Sequence, residues 1–477
     1  MEKKSVQNSW YCAFVLHVSI HPIAIMVPYA LTCMNPMIPV IERLYNETYM
    51  NRHGEELPEN TWTLLLSMTM SMVLIGAFVG SLSFKLLLNC LTRKQVMITL
   101  HVLNASGYVI IAIGGGIWGA YEAFVLGKFV TGLGLGLGLS IIPLIINETS
   151  VPHRREFYSA VFGTSMSSGS VIGVFVGWSK VLGTDETWVG VMLFGMITSA
   201  VYLGGVYWIE ETPYQAKLKY GNQQAKRILE KLRSGGRFSS DLEMEMKSLL
   251  GETSDGSTEG GVATLSEVLT TPQYRRHFIG SIVLFSYMMI CGLNNILFFS
   301  DQIFLSANVD PEVVTPATLG VLSMGPIVSV GGMFLLKFIE PKKLLLFGSV
   351  VMILGDIFMT TSQATYEQIP AMTYGAIAAV FVFYFGYMFL NLLALMIVGS
   401  ITIDRTRPVC TNIGGAALWF SAWLVGFLAT YLKIWIGPFA FLVWMGFTII
   451  ITVYIIFYLP NTKGKTSEEI QEFYKNN

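Results

Sequence analysis

Five ionisable side chains stand inside long apolar runs of this chain: His17, His21, Glu122, Lys128 and Asp356. A charge in hydrocarbon is costly, so each is a candidate for ion pairing, proton movement or ligand contact. His17 and His21 are four residues apart and share one helix face. They are read as satisfied by helix neighbours near the inner leaflet, with an unfamiliar proton path as the alternative. Asp356 lies deep in its run and has either an interhelical partner or a coupling role. Glu122 and Lys128 lie close to the outer interface, where long side chains snorkel. Hydrolytic chemistry finds no support: there is no Walker A pattern, and no Ser, His and Asp set is placed for nucleophilic attack. The five cysteines, Cys12, Cys33, Cys90, Cys291 and Cys410, show no CxxC spacing, so neither a metal site nor a disulfide framework is expected. No cofactor is expected.

The elements that position these groups follow from composition. With 53% hydrophobic and 13% charged residues in 477, the chain is too apolar for a water-facing surface. A membrane-crossing helix needs about 20 apolar residues. Such spans are read at about 11–34, 61–84, 95–117, 121–146, 158–180 and 187–209, then at about 277–300, 316–338, 344–363, 371–400, 409–432 and 436–459. The expected fold is an all-α polytopic membrane protein of twelve helices in two six-helix bundles. Residues 1–210 form the first bundle, 211–276 a linker, 277–460 the second bundle and 461–477 a tail. A substrate path along the seam between halves is the usual use of this arrangement.

Cations orient the chain, because cytoplasmic loops retain Lys and Arg. With the N-terminus inside, the short inner segments hold Lys3, Lys4, Lys85, Arg93, Lys94, Arg154, Arg155, Lys337, Lys342, Lys343, Arg405, Arg407, Lys463, Lys465 and Lys475. The outer loops hold only Arg43, Arg52, Lys180 and Lys433. Both termini and the linker are therefore expected in the cytoplasm. A net charge of −1 and dispersed cations give no reason to expect nucleic acid. The first apolar run is too long for a cleaved signal peptide and is read as a retained helix.

Gln223 to Leu232 reads as a polar helix within the linker, and Gly251 to Gly261 lacks the apolar content to order itself. Gly127, Gly132, Gly134, Gly136 and Gly138 in one span, and Gly169, Gly173 and Gly177 in the next, are read as close-packing faces. Pro22, Pro28, Pro36 and Pro39 are expected to break the first span and its exit, and Pro326 the eighth.

The segment Leu459-Pro460-Asn461-Thr462-Lys463-Gly464-Lys465-Thr466-Ser467-Glu468-Glu469-Ile470 resembles the PETKGxTxEEI signature that ends the sugar porter family of the major facilitator superfamily. Glu211-Thr212-Pro213 resembles its PESPR, and Thr264 to Arg275 the entry to its seventh helix. Asn46-Glu47-Thr48 is a glycosylation sequon in the first outer loop, where many relatives carry theirs. Thr92-Arg93-Lys94, Glu148, Arg155 and Arg407-Pro408 stand where the family has its inner charge motifs. The resemblance implies a cytoplasmic latch of Arg93, Lys94, Glu148, Arg155, Glu211 and Arg407, holding the two bundles together on the inside.

The resemblance also implies where a solute would sit, and there the chain departs from its pattern. The family's QQLSGIN is here Met288-Met289-Ile290-Cys291-Gly292-Leu293-Asn294, so both glutamines are methionines. The fifth-helix glutamine aligns with Ser167 and the eighth-helix asparagine near Gly325. The tenth-helix GPGPIPW is Phe389-Leu390-Asn391-Leu392-Leu393-Ala394-Leu395. Of the eleventh-helix Asn-Trp pair, Leu418-Trp419 keeps the ring. Proton-coupled relatives carry an Asp where this chain has Ala30, which favours passive transport. Each lost amide removes hydrogen bonds worth roughly 0.5–1.5 kcal/mol, and methionine accommodates irregular apolar shapes.

The expected function is therefore facilitative transport, by alternating access in the plasma membrane, of a small organic solute, sugar-like but less polar than hexose. Asn294, Trp419, Ser167 and Asn35 are the candidate contacts, with Met288 and Met289 as apolar lining. A membrane sensor that no longer moves solute and a proton-coupled symporter are the alternatives.

Overall fold

The structure, a computed structural model, describes residues 7–151, 154–234, 263–403, 405–461 and 467–476. Lys3, Lys4, the Gly- and Ser-rich stretch at 251–261 and residues 462–466 of the terminal signature lie outside the described residues.

Eleven helical stretches are long and apolar enough to cross a membrane, and the last, Arg407–Tyr458, contains two spans that turn at Gly437–Phe439. The expected twelve spans are thus present. The first half holds α1 (Trp10–Thr32), the exit helix α2 (Ile38–His53), α3 (Glu59–Cys90), α4 (Arg93–Gly116), α5 (Tyr121–Thr149), α6 (Arg155–Gly177) and α7 (Trp188–Trp208). Two short helices, α8 (Pro213–Tyr220) and α9 (Asn222–Leu232), follow, then α10 (Leu265–Thr270). The second half holds α11 (Pro272–Ile290), α12 (Leu293–Ser306), α13 (Pro311–Phe338), α14 (Pro341–Thr365), α15 (Ala371–Ile401), α16 (Arg407–Ile436) and α17 (Ala440–Tyr458), and α18 (Ser467–Asn476) closes the described chain.

Glycine sets the tightest contacts. A Cβ on Gly132 of α5 would lie 2.1 Å from the Val73 carbonyl of α3, and one on Gly136 2.1 Å from the Ala77 carbonyl. In α6, a Cβ on Gly169, Gly173 or Gly177 would lie 2.4 Å or less from Ile25 O, Thr32 Oγ1 or Cys33 O of α1 or its exit. Backbones without side chains between them gain dispersion contact that lipid cannot match.

The prolines do less than expected. α1 runs unbroken through Pro22 and Pro28, and α13 through Pro316 and Pro326; neighbouring helices and hydroxyls satisfy the freed carbonyls in such cases. Thr32 Oγ1, for example, donates to the Pro28 carbonyl at 2.9 Å. The break at membrane depth comes instead in the seventh span, between α11 and α12, where Gly292 has φ +95°. Only glycine adopts this backbone freely, and an added Cβ would lie 3.0 Å from the Trp444 side chain.

The bundles meet along α3 against α16, where Phe78 and Phe420 stack at 6.1 Å, and along α6 against α13. The face carrying the linker, called here the linker face, is tied down by a two-residue antiparallel pairing of Gln7–Asn8 with Arg233–Ser234. Arg233 donates to the Thr149 carbonyl at 2.7 Å. The linker helix α9 is amphipathic rather than simply polar, because Ala225, Ile228, Leu229 and Leu232 are buried. At the other end of the chain α18 buries Ile470 and Tyr474, with the His277 ring 4.5 Å from that of Tyr474. Burial there pushes the Tyr474 phenol above its ordinary pKa.

Candidate functional site

The helix break puts Asn294 at the first turn of α12, fully buried. Its Nδ2 donates to the Ala422 carbonyl of α16 at 2.8 Å, one turn beyond the buried Trp419. Asn294 Oδ1 has no described partner. Leaving a buried acceptor unpaired costs about 1–3 kcal/mol, so an acceptor kept beside an aromatic ring at a broken helix is suited to a ligand's hydroxyl. Met288 lies one turn below the break and is buried, and Met289 beside it is partly so. Asn294, Trp419 and the two methionines are thereby brought to one level of the second bundle.

Ser167 comes to the same seam from the first bundle. Its hydroxyl is committed to the Gly163 carbonyl at 3.2 Å, and its Cβ lies 3.2 Å from where a Cβ on Gly325 would stand. That position is also 3.0 Å from the Tyr384 hydroxyl and 3.4 Å from the Met388 Sδ. Two residues of α15 therefore fill the space where the resembling family places an amide. Sequence reasoning missed Tyr384 and Met388 because it looked to Phe389 and beyond on the same helix.

Asn35 does not line this level in the conformation observed. It is fully buried at the end of α1. Its Nδ2 donates to Ser300 Oγ at 2.7 Å and to Asp301 Oδ1 at 3.2 Å, while the Asp301 backbone N–H donates to Asn35 Oδ1 at 3.3 Å. Thr315 donates to Asp301 Oδ2 at 2.7 Å and Thr318 to Asp301 Oδ1 at 2.6 Å. Asn35 belongs to one bundle and Asp301 to the other, so this cluster closes the seam at the face opposite the linker. Asp301 falls one residue past the predicted end of its span, the only sequence signal it offered.

The charged groups of the linker face pair within their own bundles. Arg93 NH2 meets Glu148 Oε1 at 3.1 Å with both side chains only 11% exposed, and Thr212 donates to the other Glu148 oxygen. Glu211 accepts from Thr92 and from the Lys94 backbone. Lys94 Nζ caps the end of α7 through Tyr207 O at 3.0 Å and Ile209 O at 2.7 Å. Arg155 donates to Asn147 O at 2.9 Å. In the second bundle, Arg407 donates to Gly399 O at 3.2 Å and Thr402 O at 3.0 Å. These bonds brace α4, α5 and α7 against one another; the cross-bundle bonds described here lie at the opposite face.

Lys128 does not snorkel. It is buried, and its Nζ donates to the Ala30 carbonyl at 2.5 Å. Glu122 stays near solvent and pairs with Arg52 at 2.6 Å. Asp356 is buried with Oδ2 lacking a partner among the described residues. Asn46 is half-buried within α2, its Oδ1 accepting from the Leu57 N–H at 2.9 Å, and Thr48 of the sequon bonds the Gly119 carbonyl.

Residues 18–474 match the family model described as "Sugar (and other) transporter". The chain is 25% identical over 448 residues to rat solute carrier family 2, facilitated glucose transporter member 5, covering 94% of this chain and 88% of that protein. It is 27% identical over 456 residues to human facilitated glucose transporter member 9, covering 94% and 83%. Among solved structures, the inward open xylose transporter XylE from E. coli is similar in fold, with TM-score 0.77 at 17% identity over 97% of this chain and 99% of that one. A partially occluded inward open form of XylE gives 0.78 over 96% and 100%. A match running from the first span to the last helix identifies the chain as a divergent member of the sugar transporter family of the major facilitator superfamily, a family of transporters rather than enzymes.

Proposed function

We propose that the chain moves a small organic solute, less polar than hexose, through the seam by alternating access and without an energy-coupling ion. The relatives named for facilitated glucose transport support a sugar-like solute. The observation that carries the proposal is the unpaired Asn294 Oδ1 at the helix break, close to Trp419 and bordered by Met288. One acceptor, one stacking surface and thioether lining suit a solute with an apolar face and few hydroxyls. Ala30 and its carbonyl bond to Lys128 support the uncoupled reading, since no carboxylate stands there. In this reading the linker face is cytoplasmic, the membrane is the plasma membrane, and the solute enters from the linker side while the Asn35 and Asp301 cluster is shut.

Counterflow into liposomes holding the purified chain, run with labelled hexoses, deoxy sugars, polyols and organic acids, tests this. Exchange of a sparsely hydroxylated solute in preference to glucose is the expected result. Binding without counterflow for every ligand would instead favour a sensor, and acceleration by an imposed pH gradient a symporter.

A further inference from the structure

His17 and His21 of α1 face one another across a single turn. Their rings are parallel within 5° at 4.9 Å, and His17 Nδ1 lies 2.8 Å from His21 Nε2. The other nitrogen of His21, Nδ1, lies 2.8 Å from Ser165 Oγ of α6. The Ser165 hydroxyl itself donates to the Val161 carbonyl at 2.8 Å, so it accepts from His21, and Nδ1 must carry the proton. That assignment leaves His21 Nε2 as a lone pair aimed at its neighbour. A change of tautomer in His17, moving its proton to Nε2, aims a second lone pair at the same point.

We propose that His17 and His21 form a chelating site for a late first-row divalent cation such as Zn2+, Ni2+ or Cu2+. Two imidazoles at i and i+4 on a helix are a natural pair of metal ligands, and imidazole nitrogen suits these metals. With metal–nitrogen bonds of about 2.0–2.1 Å and a tetrahedral angle, the two nitrogens sit roughly 3.3 Å apart. The observed separation therefore opens by about half an ångström, a small rotation of an exposed His17 ring. Ser165 holds the His21 ring and fixes its tautomer, the supporting role that ligating histidines usually require. Water reaches the site, because the His17 ring also lies 6.2 Å from Tyr158 in the first turn of α6, at the linker end of that helix. Among the described residues no third His, Cys, Asp or Glu completes the group, so water or a passing ligand fills the remaining positions. The inference is independent of which solute the seam carries.

Isothermal titration of Zn2+ and Ni2+ into the tag-free full chain in detergent tests it, with Mg2+ as a control. The expected result is one saturable site for Zn2+ and Ni2+ and none for Mg2+. His17→Gln and His21→Gln should each weaken binding at least tenfold, with the double variant little worse than either, since one imidazole cannot chelate. Ser165→Ala should weaken it severalfold with both ligands still present. Cys90 is an exposed thiol, so Cys90→Ser should leave the affinity unchanged. Thermal unfolding of each variant, close to that of the parent, shows that a lost site is not a lost fold. No saturable Zn2+ binding in the parent chain, or equal affinity in either histidine variant, would overturn the proposal.

Discussion

The Asn35 amide and the Asp301 carboxylate grip each other across the two halves of the molecule, amide N–H to carboxylate at 3.2 Å and backbone N–H to amide oxygen at 3.3 Å. Both residues are buried. Their pairing is matched in both directions, which fixes how the Asn35 amide is turned. For solute to enter from the face opposite the linker, this contact must part.

Asp301→Ala removes the acceptor used by Asn35, Thr315 and Thr318 together. A buried group stripped of its partner costs about 1–3 kcal/mol, here charged only against the closed seam. Expected is a shift toward the form open opposite the linker, read as faster maleimide labelling of a cysteine placed at Thr318. Labelling at the parent rate would show that the cluster does not hold the seam.

Arg93 and Glu148 are a buried pair, and removing one partner of such a pair costs about 3–5 kcal/mol because a charge is left unpaired. Arg93→Ala should therefore lower the thermal unfolding midpoint sharply, while Arg93→Ala with Glu148→Gln recovers part of the loss. A double variant no more stable than the single would show that the unpaired carboxylate is not the cause.

Asn294→Ala deletes both the bond to Ala422 and the spare acceptor, whereas Trp419→Leu deletes only the ring. Each should weaken solute binding by up to about tenfold, the worth of one hydrogen bond or stacking contact. Met288→Gln with Met289→Gln should move selectivity toward hexoses in the same liposome assay. Unchanged selectivity in that pair would place the methionines outside the path.

Gly132 and Gly163 separate packing from propensity. A Cβ at Gly132 strikes the Val73 carbonyl, whereas at Gly163 it meets nothing within 4 Å. Gly132→Ala should destabilise by about 1–3 kcal/mol, and Gly163→Ala should be neutral or stabilising by about 0.5–1 kcal/mol. Thermal unfolding of the two variants side by side decides it.

The sequon at Asn46 is a further check on orientation. The face opposite the linker is extracellular in the proposed reading, so a glycan added before α2 folds should be removable by peptide N-glycosidase and absent from Asn46→Gln. A gel shift that survives the substitution would assign the glycan elsewhere.

The count of spans and the membership of each helix were legible in the sequence because both follow from local composition: an apolar run of sufficient length has no stable alternative in a bilayer but a helix. The glycine faces were legible for the same reason, since spacing along a helix is spacing on its surface. Tertiary structure alone decided which polar groups meet. Asn35 was read as a solute contact, yet the approach of α12 engages it with Asp301; Lys128 was read as reaching outward, yet α1 offers it the Ala30 carbonyl within the bundle. Pro28 promised a break that its neighbours absorb, while Gly292 supplied the real one. Hydrogen-bond partners lie up to hundreds of residues apart, and a helix declares its polar face without saying which other helix turns toward it.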